Sequence, residues 1–471
     1  MPPNIRLKEQ ILIVARRLMC HAGIPCSGFE LGMHARSPMP KSAAARSRQF
    51  KNMRIGALVL AASGFVGIAA GATIRIAADS DVGQAGKWTK ARCQEWAAKT
   101  GNQVEYLNLP PSANDVLTLF SQYWAAQTPD LDIYQIDVCW PGMAAAHAVD
   151  LKKYFNEEDL AQFFSRIVEN NTVNGRLIGI PFFTDAGLLY YRTDLLEKYG
   201  YKEPPQTWEQ LVAEADKMQA GERAAGDADF WGFVWQGSSY EGLTCDGLEW
   251  IYSYGGGTII ERDRTVSIDN PNALNALKMA KSWVGTISPR GVTNYKEEES
   301  RNVWQSGHAA FMRNWPYAYA LGSNKQSPIA GKFAVTVLPK GGPDGNHAAT
   351  LGGWQLMVSK YSKNPDIAAD LVKYLTSAEI QKRDAIELTR LPTRPALYQD
   401  KDVLAAVPWF GSLLPVFTNA VARPSTILGG DYNQFATMFF NNLNEMLNGQ
   451  KSEEDSLRAI AAGAQRFVAK K

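Results

Sequence analysis

The chain is poor in the residues on which metalloproteins and many hydrolases depend, with five histidines and five cysteines in 471 residues. Past residue 72 only His147, His308 and His347 remain, far apart and without ligand spacing. No P-loop, GxSxG, HExxH, GxGxxG or EF-hand loop occurs, so no motif calls for a phosphate cradle, a serine nucleophile, zinc, a dinucleotide or calcium. No metal and no cofactor is expected. The later cysteines, Cys93, Cys139 and Cys245, are odd in number and lack CxxC spacing. They read as buried thiols and not as a disulfide framework. A long apolar run is also missing: Ile55 to Ala70 falls short of the ~20 residues that span a bilayer.

That short run fits export better than anchoring. Lys51 and Arg54 precede it, and Ala70-Gly71-Ala72 has the small-x-small form of a cleavage site. Residues 1–72 are therefore expected to be a leader with a signal peptide (apolar core 55–70, cleavage after Ala72), with translation starting at Met1, Met39 or Met53. Residues 1–54 hold ten Lys/Arg and two Asp/Glu, and 55–72 hold none, so their removal takes the formal charge from +2 to −6. The basic character belongs to the leader, and electrostatic attraction to nucleic acid or anionic membrane loses its basis.

The remaining length suits two domains. Thr73 to Ala78 alternates as a strand, a helical stretch with Trp88 and Trp96 stops at Gly101, and Val104 to Leu109 is the next strand. Asn114 is placed to cap a helix with Val116, Phe120, Tyr123 and Trp124 on one side, and Leu131 to Val138 reads as a third strand. Strands and helices alternating in this way predict βαβ units and parallel sheets. The alternation resumes after Ile178. Thr207 to Gln210 and Thr376 to Glu379 have the form of capping boxes, Phe333 to Leu338 reads as a strand, and Pro365 sits at the first turn of a helix. From Tyr432 onward the chain is helical and amphipathic.

The run Arg313-Asn-Trp-Pro-Tyr-Ala-Tyr-Ala-Leu321, followed by Leu351-Gly-Gly-Trp-Gln355, sets aromatic rings beside bare glycine backbone. A pyranose has weakly polar C–H faces and a rim of hydroxyls, so its site needs flat rings and fixed hydrogen-bond partners. Asp137 falls at the carboxyl end of a predicted parallel strand, where open α/β sheets bind ligands. Asp185 falls where the first strand pattern hands over to the second. Taken singly, each aspartate also suits a turn or solvated loop, and Trp315, Tyr317 and Trp354 also suit a core.

Several stretches together resemble the trehalose/maltose-binding proteins, solute-binding subunits of bacterial sugar ABC transporters (family 1 solute-binding proteins). They are Asp132 to Val138, Asp185 to Arg192, Trp231 to Gly237, Tyr240 to Asp246, Asn314 to Tyr317, Leu351 to Trp354 and Ala422 to Pro424. The resemblance implies a two-lobed α/β fold of the type II periplasmic-binding-protein kind, each lobe a mostly parallel sheet flanked by helices, with the ligand cleft between lobes. One lobe would comprise 73–183 and 348–384, the other 184–347 and 385–471.

Position by position, the resemblance makes Asp137 and Asp185 hydroxyl-binding carboxylates, Trp315 and Tyr317 an aromatic wall, Gly353 and Trp354 a backbone-plus-ring contact, and Arg423 a reach from the second lobe. Where relatives have an Asn-Glu pair, this chain has Val82-Gly-Gln84, which makes Gln84 the candidate there; Asn108 is another. The implied function is capture of a disaccharide in the periplasm by a monomer, with hinge closure and delivery to permease subunits. Carboxylates that grip hydroxyls are expected to stay ionised. The competing readings are a secreted glycoside hydrolase using Asp137 and Asp185, which requires one raised pKa, and a sensor presenting its closed form to a membrane receptor.

Overall fold

The computed structural model describes residues 71–82, 84–413, 416 and 420–470. The leader's apolar stretch, 55–70, lies outside the described residues. Among the described residues no helix is long and apolar enough to cross a membrane.

The first lobe begins with the expected βαβ alternation. In β1 (Thr73–Ala78), Ile74, Ile76 and Ala78 are fully buried. Helix α1 (Ala85–Thr100) turns Trp88, Cys93 and Trp96 inward and ends at Gly101, whose φ of 74° favours glycine. β2 (Gln103–Asn108) lies parallel to β1. Helix α2 (Ala113–Ala126) buries Val116, Phe120 and Trp124, and β3 (Ile133–Asp137) runs parallel along the other edge of β1. Asn114 does not cap α2. Ser112 holds that position, and Asn114 Oδ1 instead accepts from the backbone N–H of Glu241 at 2.9 Å.

β4 (Ile180–Ala186) passes through Gly187 into β5 (Leu188–Arg192), so one residue carries the chain from the first sheet to the second. A side chain at 187 would sit 2.2 Å from Glu249 Oε1 and 2.7 Å from Arg313 Nη2, because the backbone rests on a buried ion pair. Helix α3 (Trp208–Ala224) opens with the expected Thr207/Gln210 capping box. β6 (Trp231–Val234), α4 (Glu241–Ser253), α5 (Pro271–Trp283), α6 (Glu297–Gln305), β7 (Ala309–Asn314) and β8 (Phe333–Thr336) complete this part. Its core is aromatic: Trp250 stands edge-on to Trp235 and Trp283, with ring centroids 5.1 and 5.8 Å away.

The chain returns to the first sheet in β9 (Ala349–Val358). Helix α7 (Pro365–Leu375) carries Pro365 in its first turn. Helix α8 (Ala378–Leu388) is capped by Ser377 and not by Thr376, whose hydroxyl donates back to the Val372 carbonyl at 2.8 Å. β10 (Ala420–Val421), α9 (Tyr432–Leu447) and α10 (Glu453–Ala469) follow. Cys93, Cys139 and Cys245 are buried free thiols.

The first sheet has the order β10-β9-β3-β1-β2, with β4 also on β9; the second has the order β8-β5-β7-β6. Both are mixed. Parallel pairing holds for β1–β2, β1–β3 and β9–β10, but β9 is antiparallel to β3 and β4. In the second sheet only β6–β7 is parallel, which corrects the expectation of a mostly parallel sheet there. The antiparallel partners are the strands that enter from the other lobe, β5 and β9. A helical crossover imposes parallel pairing, and a direct passage between sheets does not.

Candidate sugar-binding cleft

A cavity of about 450 Å³ opens between the two sheets, lined by residues of both lobes. Its floor is β9. Trp354 pairs across β9 with Asp137 on β3 and Phe183 on β4, while Gly352 pairs with Asp185. The central strand thus holds Asp137 and Asp185 on its two flanks. Glycine is required at position 353, and there is little room for any other residue at position 352. At Gly353, with φ of 115°, a Cβ would lie 2.5 Å from the Phe183 carbonyl oxygen; at Gly352 it would lie 3.0 Å from both Asp185 Cβ and the Trp315 ring. Bare backbone lets an indole of the second lobe rest on a strand of the first.

The opposite wall is set by the end of β7. Asn314 Oδ1 accepts from the Trp315 backbone N–H at 2.8 Å, and the Tyr190 hydroxyl donates to the Trp315 carbonyl at 2.7 Å. The Arg313 guanidinium stacks 4.0 Å from the Trp315 ring centre and is itself held by Asp246 at 3.0 Å and Glu249 Oε2 at 2.9 Å. Trp315 Nε1 donates to Glu297 at 3.4 Å, and the Tyr317 hydroxyl donates to Glu298. Both rings are fixed in the protein itself, which lowers the ordering cost of binding.

Two buried guanidiniums organise the remaining charge. Arg423 donates to Asp137 Oδ1 at 3.0 Å and Glu241 Oε1 at 2.8 Å. Asp137 Oδ1 also accepts the Cys139 backbone N–H and thiol, each at 3.0 Å, and Glu241 accepts the Tyr432 hydroxyl. Arg390 bonds Asp79, lies 3.6 Å from Asp384 and stacks 4.2 Å from the Phe183 ring centre. Burial raises Glu241, against the pull of Arg423. The Asp185 carboxyl has no hydrogen bond or ion pair among the described residues. Burial pushes it up to about 8, with Arg390 opposing and Asp137 and Asp384 adding to the rise. The expectation that both aspartates stay ionised therefore fails at Asp185, which sits half-buried in the cavity wall without a cation in contact.

The cavity brings together Asp137, Asp185, Trp315, Tyr317, Gly353, Trp354, Arg423 and Gln84. Gln84 stands at the N-cap position of α1 and makes no capping bond. Asn108 is not among the lining residues; its amide donates to Asp81 at 2.7 Å at the exposed end of β2. Arg423 is already engaged by two carboxylates, so it serves as a bridge as well as a wall. Sequence reasoning missed Asp79, Gln135, Glu241, Glu297 and Arg390, all on the lining. Glu241 lay inside a stretch that carried the resemblance, Tyr240 to Asp246, and its place at the start of α4 was the available signal. Arg390 had none, since its partner Asp79 is 311 residues away.

The model of the family described as bacterial extracellular solute-binding protein matches residues 79–382. A protein of Deinococcus radiodurans described as a probable ABC transporter-binding protein is 51% identical over 388 residues, covering 82% of this chain and 92% of its own. The maltodextrin-binding protein MdxE of Bacillus subtilis is 24% identical over 266 residues, 53% of this chain and 57% of its own. Among solved structures, T. maritima MalE3 with maltose bound matches with a TM-score of 0.79 at 39% identity, over 84% of this chain and 99% of that one.

Proposed function

Because the chain belongs to the bacterial extracellular solute-binding protein family, we propose that it captures a disaccharide of the trehalose, maltose or sucrose type in the periplasm and delivers it to an ABC importer's permease. The observation that carries this reading is the cavity between the lobes, where the Trp315, Tyr317 and Trp354 rings meet Asp137 and Asp185 across glycine backbone. Its volume of about 450 Å³ falls within the ~300–1,000 Å³ typical of small-molecule sites. Maltose in T. maritima MalE3 and the maltodextrin of the B. subtilis relative support a glucose-based ligand.

The sugar lodges with a pyranose face on Trp315 and its hydroxyls on Asp137 and Asp185. The lobes (73–183 with 348–384, and 184–347 with 385–471) then close by hinge bending, a motion for which periplasmic binding proteins are a standard example. Closure excludes water, so a hydroxyl bond to a charged carboxylate contributes roughly 1.5–3 kcal/mol and one to the protonated Asp185 roughly 0.5–1.5 kcal/mol. A sugar lacking one hydroxyl leaves a buried polar group unpaired, which is the source of selectivity. The protein acts as a monomer, exported through cleavage after Ala72, and no bond of the sugar is broken.

Calorimetry with maltose, trehalose and sucrose tests this. At least one sugar should bind one-to-one, and Trp315→Ala should weaken it by a factor of about ten to one hundred, equivalent to the ~1.5–3 kcal/mol of a buried aromatic contact. Unchanged affinity in Trp315→Ala would remove the aromatic wall from the site. Steady glucose release on overnight incubation would favour the hydrolase instead, since a raised Asp185 beside Asp137 is what that chemistry requires.

A further inference from the structure

One carboxylate of the cavity has two jobs. Asp137 spends Oδ1 on Arg423 and on Cys139, while Oδ2 has no partner among the described residues and the side chain lines the cavity. Arg423 follows β10, which pairs with the start of β9 where the chain crosses between the lobes, and its other nitrogen donates to Glu241, the first residue of α4 in the same second lobe. Glu241 is itself gripped from the first lobe, where its backbone N–H donates to Asn114 Oδ1 in the first turn of α2. The next residue, Asp115, faces Lys296 of the second lobe at 3.9 Å. The start of α4 is thus where both lobes meet, one buried guanidinium away from a sugar-facing carboxylate.

We propose that Glu241 is a positioning residue that couples sugar capture to closure: by holding Arg423 of its own lobe against Asp137 of the other, while its backbone bonds Asn114 there, it fixes Asp137 in its hydroxyl-binding pose only when the lobes are shut. The inference rests on the disaccharide reading above and adds the device that regulates it. When the lobes part, the Arg423–Asp137 and Glu241–Asn114 contacts stretch, and Asp137 loses the anchor that presents Oδ2. A sugar that bonds Oδ2 favours the closed arrangement, and the closed arrangement favours the bond, since each acts through the same equilibrium. This role differs from direct recognition. A residue that contacts the sugar changes the order of preference among sugars, whereas one that acts on closure scales all of them together.

The experiment measures affinity and stopped-flow kinetics for maltose, trehalose and sucrose on the full chain, Glu241→Gln and Asn114→Ala, with thermal unfolding as a check on folding. Glu241→Gln should weaken every bound disaccharide by a common factor of about ten or more, because a buried guanidinium loses half its compensation. The loss should lie in faster release, with association changed by less than about threefold. Asn114→Ala, outside the cavity, should act in the same direction by about two- to tenfold, the worth of one neutral hydrogen bond. A changed ratio between sugars in Glu241→Gln would make it a direct contact and overturn the proposal. So would unchanged affinity in Asn114→Ala, if Glu241→Gln folds poorly, or in both variants. A wild-type chain that binds none of the three sugars would overturn the disaccharide reading itself, and this inference with it.

Discussion

Replacing Asp185 by asparagine should stabilise the ligand-free protein at neutral pH while weakening its hold on sugar. Burial without a cation in contact lifts Asp185 to about 8 in the folded protein. In the unfolded chain an aspartate titrates near ~3.9. A folded pKa above the unfolded one means that the native state holds the extra proton. The associated stability is fully present below pH ~4 and is lost as pH rises toward 8. At pH 7 the unfolded carboxylate has gained about three pKa units over the protonated native form, or about 4 kcal/mol at 1.36 kcal/mol per unit. Contact of the carboxyl with cavity water trims this to roughly 2–4 kcal/mol. Asparagine keeps the shape and cannot ionise, so it avoids the loss. With an unfolding entropy near ~2.1 cal/mol/K per residue over about 400 residues, the melting temperature should rise by about 2–5 °C at pH 7. The gain should shrink toward zero at pH 4. Scanning calorimetry of both proteins from pH 4 to 8 reads this directly. A difference that is independent of pH, or that grows toward acid, would refute the burial argument.

Other outcomes follow from the same geometry. Arg390→Leu should cost about 3–5 kcal/mol by urea unfolding, because Asp79 and Asp384 would be left buried beside an apolar side chain; a loss below about 1 kcal/mol would mean that water replaces the guanidinium. Gly353→Ala should destabilise the fold and weaken sugar binding together, since a Cβ there lies 2.5 Å from the Phe183 carbonyl at a φ of 115°. A stable, fully binding Gly353→Ala protein would contradict the account of the β9 floor.

Much of the first lobe was legible in the sequence, because its signals are local. Ile74, Ile76 and Ala78 alternate, Gly101 ends α1, and Pro365 opens α7, and each needs only its neighbours in the chain. Strand direction was not legible in the second sheet. It depends on β5 and β9 entering from the opposite lobe, and no local periodicity records that. The caps show the same limit on a smaller scale: Asn114 has the right chemistry for a cap, but a carbonyl oxygen aimed at Glu241 across the cleft serves a different partner. At the site, the aromatic and glycine residues announced themselves by composition. The charge network did not, since Arg423 with Asp137 and Arg390 with Asp79 join positions 286 and 311 residues apart.

The most direct measurement is a crystal structure of the protein grown with an excess of whichever of maltose, trehalose or sucrose binds in calorimetry. The account predicts one sugar molecule in the interlobe cavity, one ring stacked on Trp315 and hydroxyls within hydrogen-bond distance of Asp137 and Asp185. A sugar bound elsewhere, with that cavity holding only water, would contradict it.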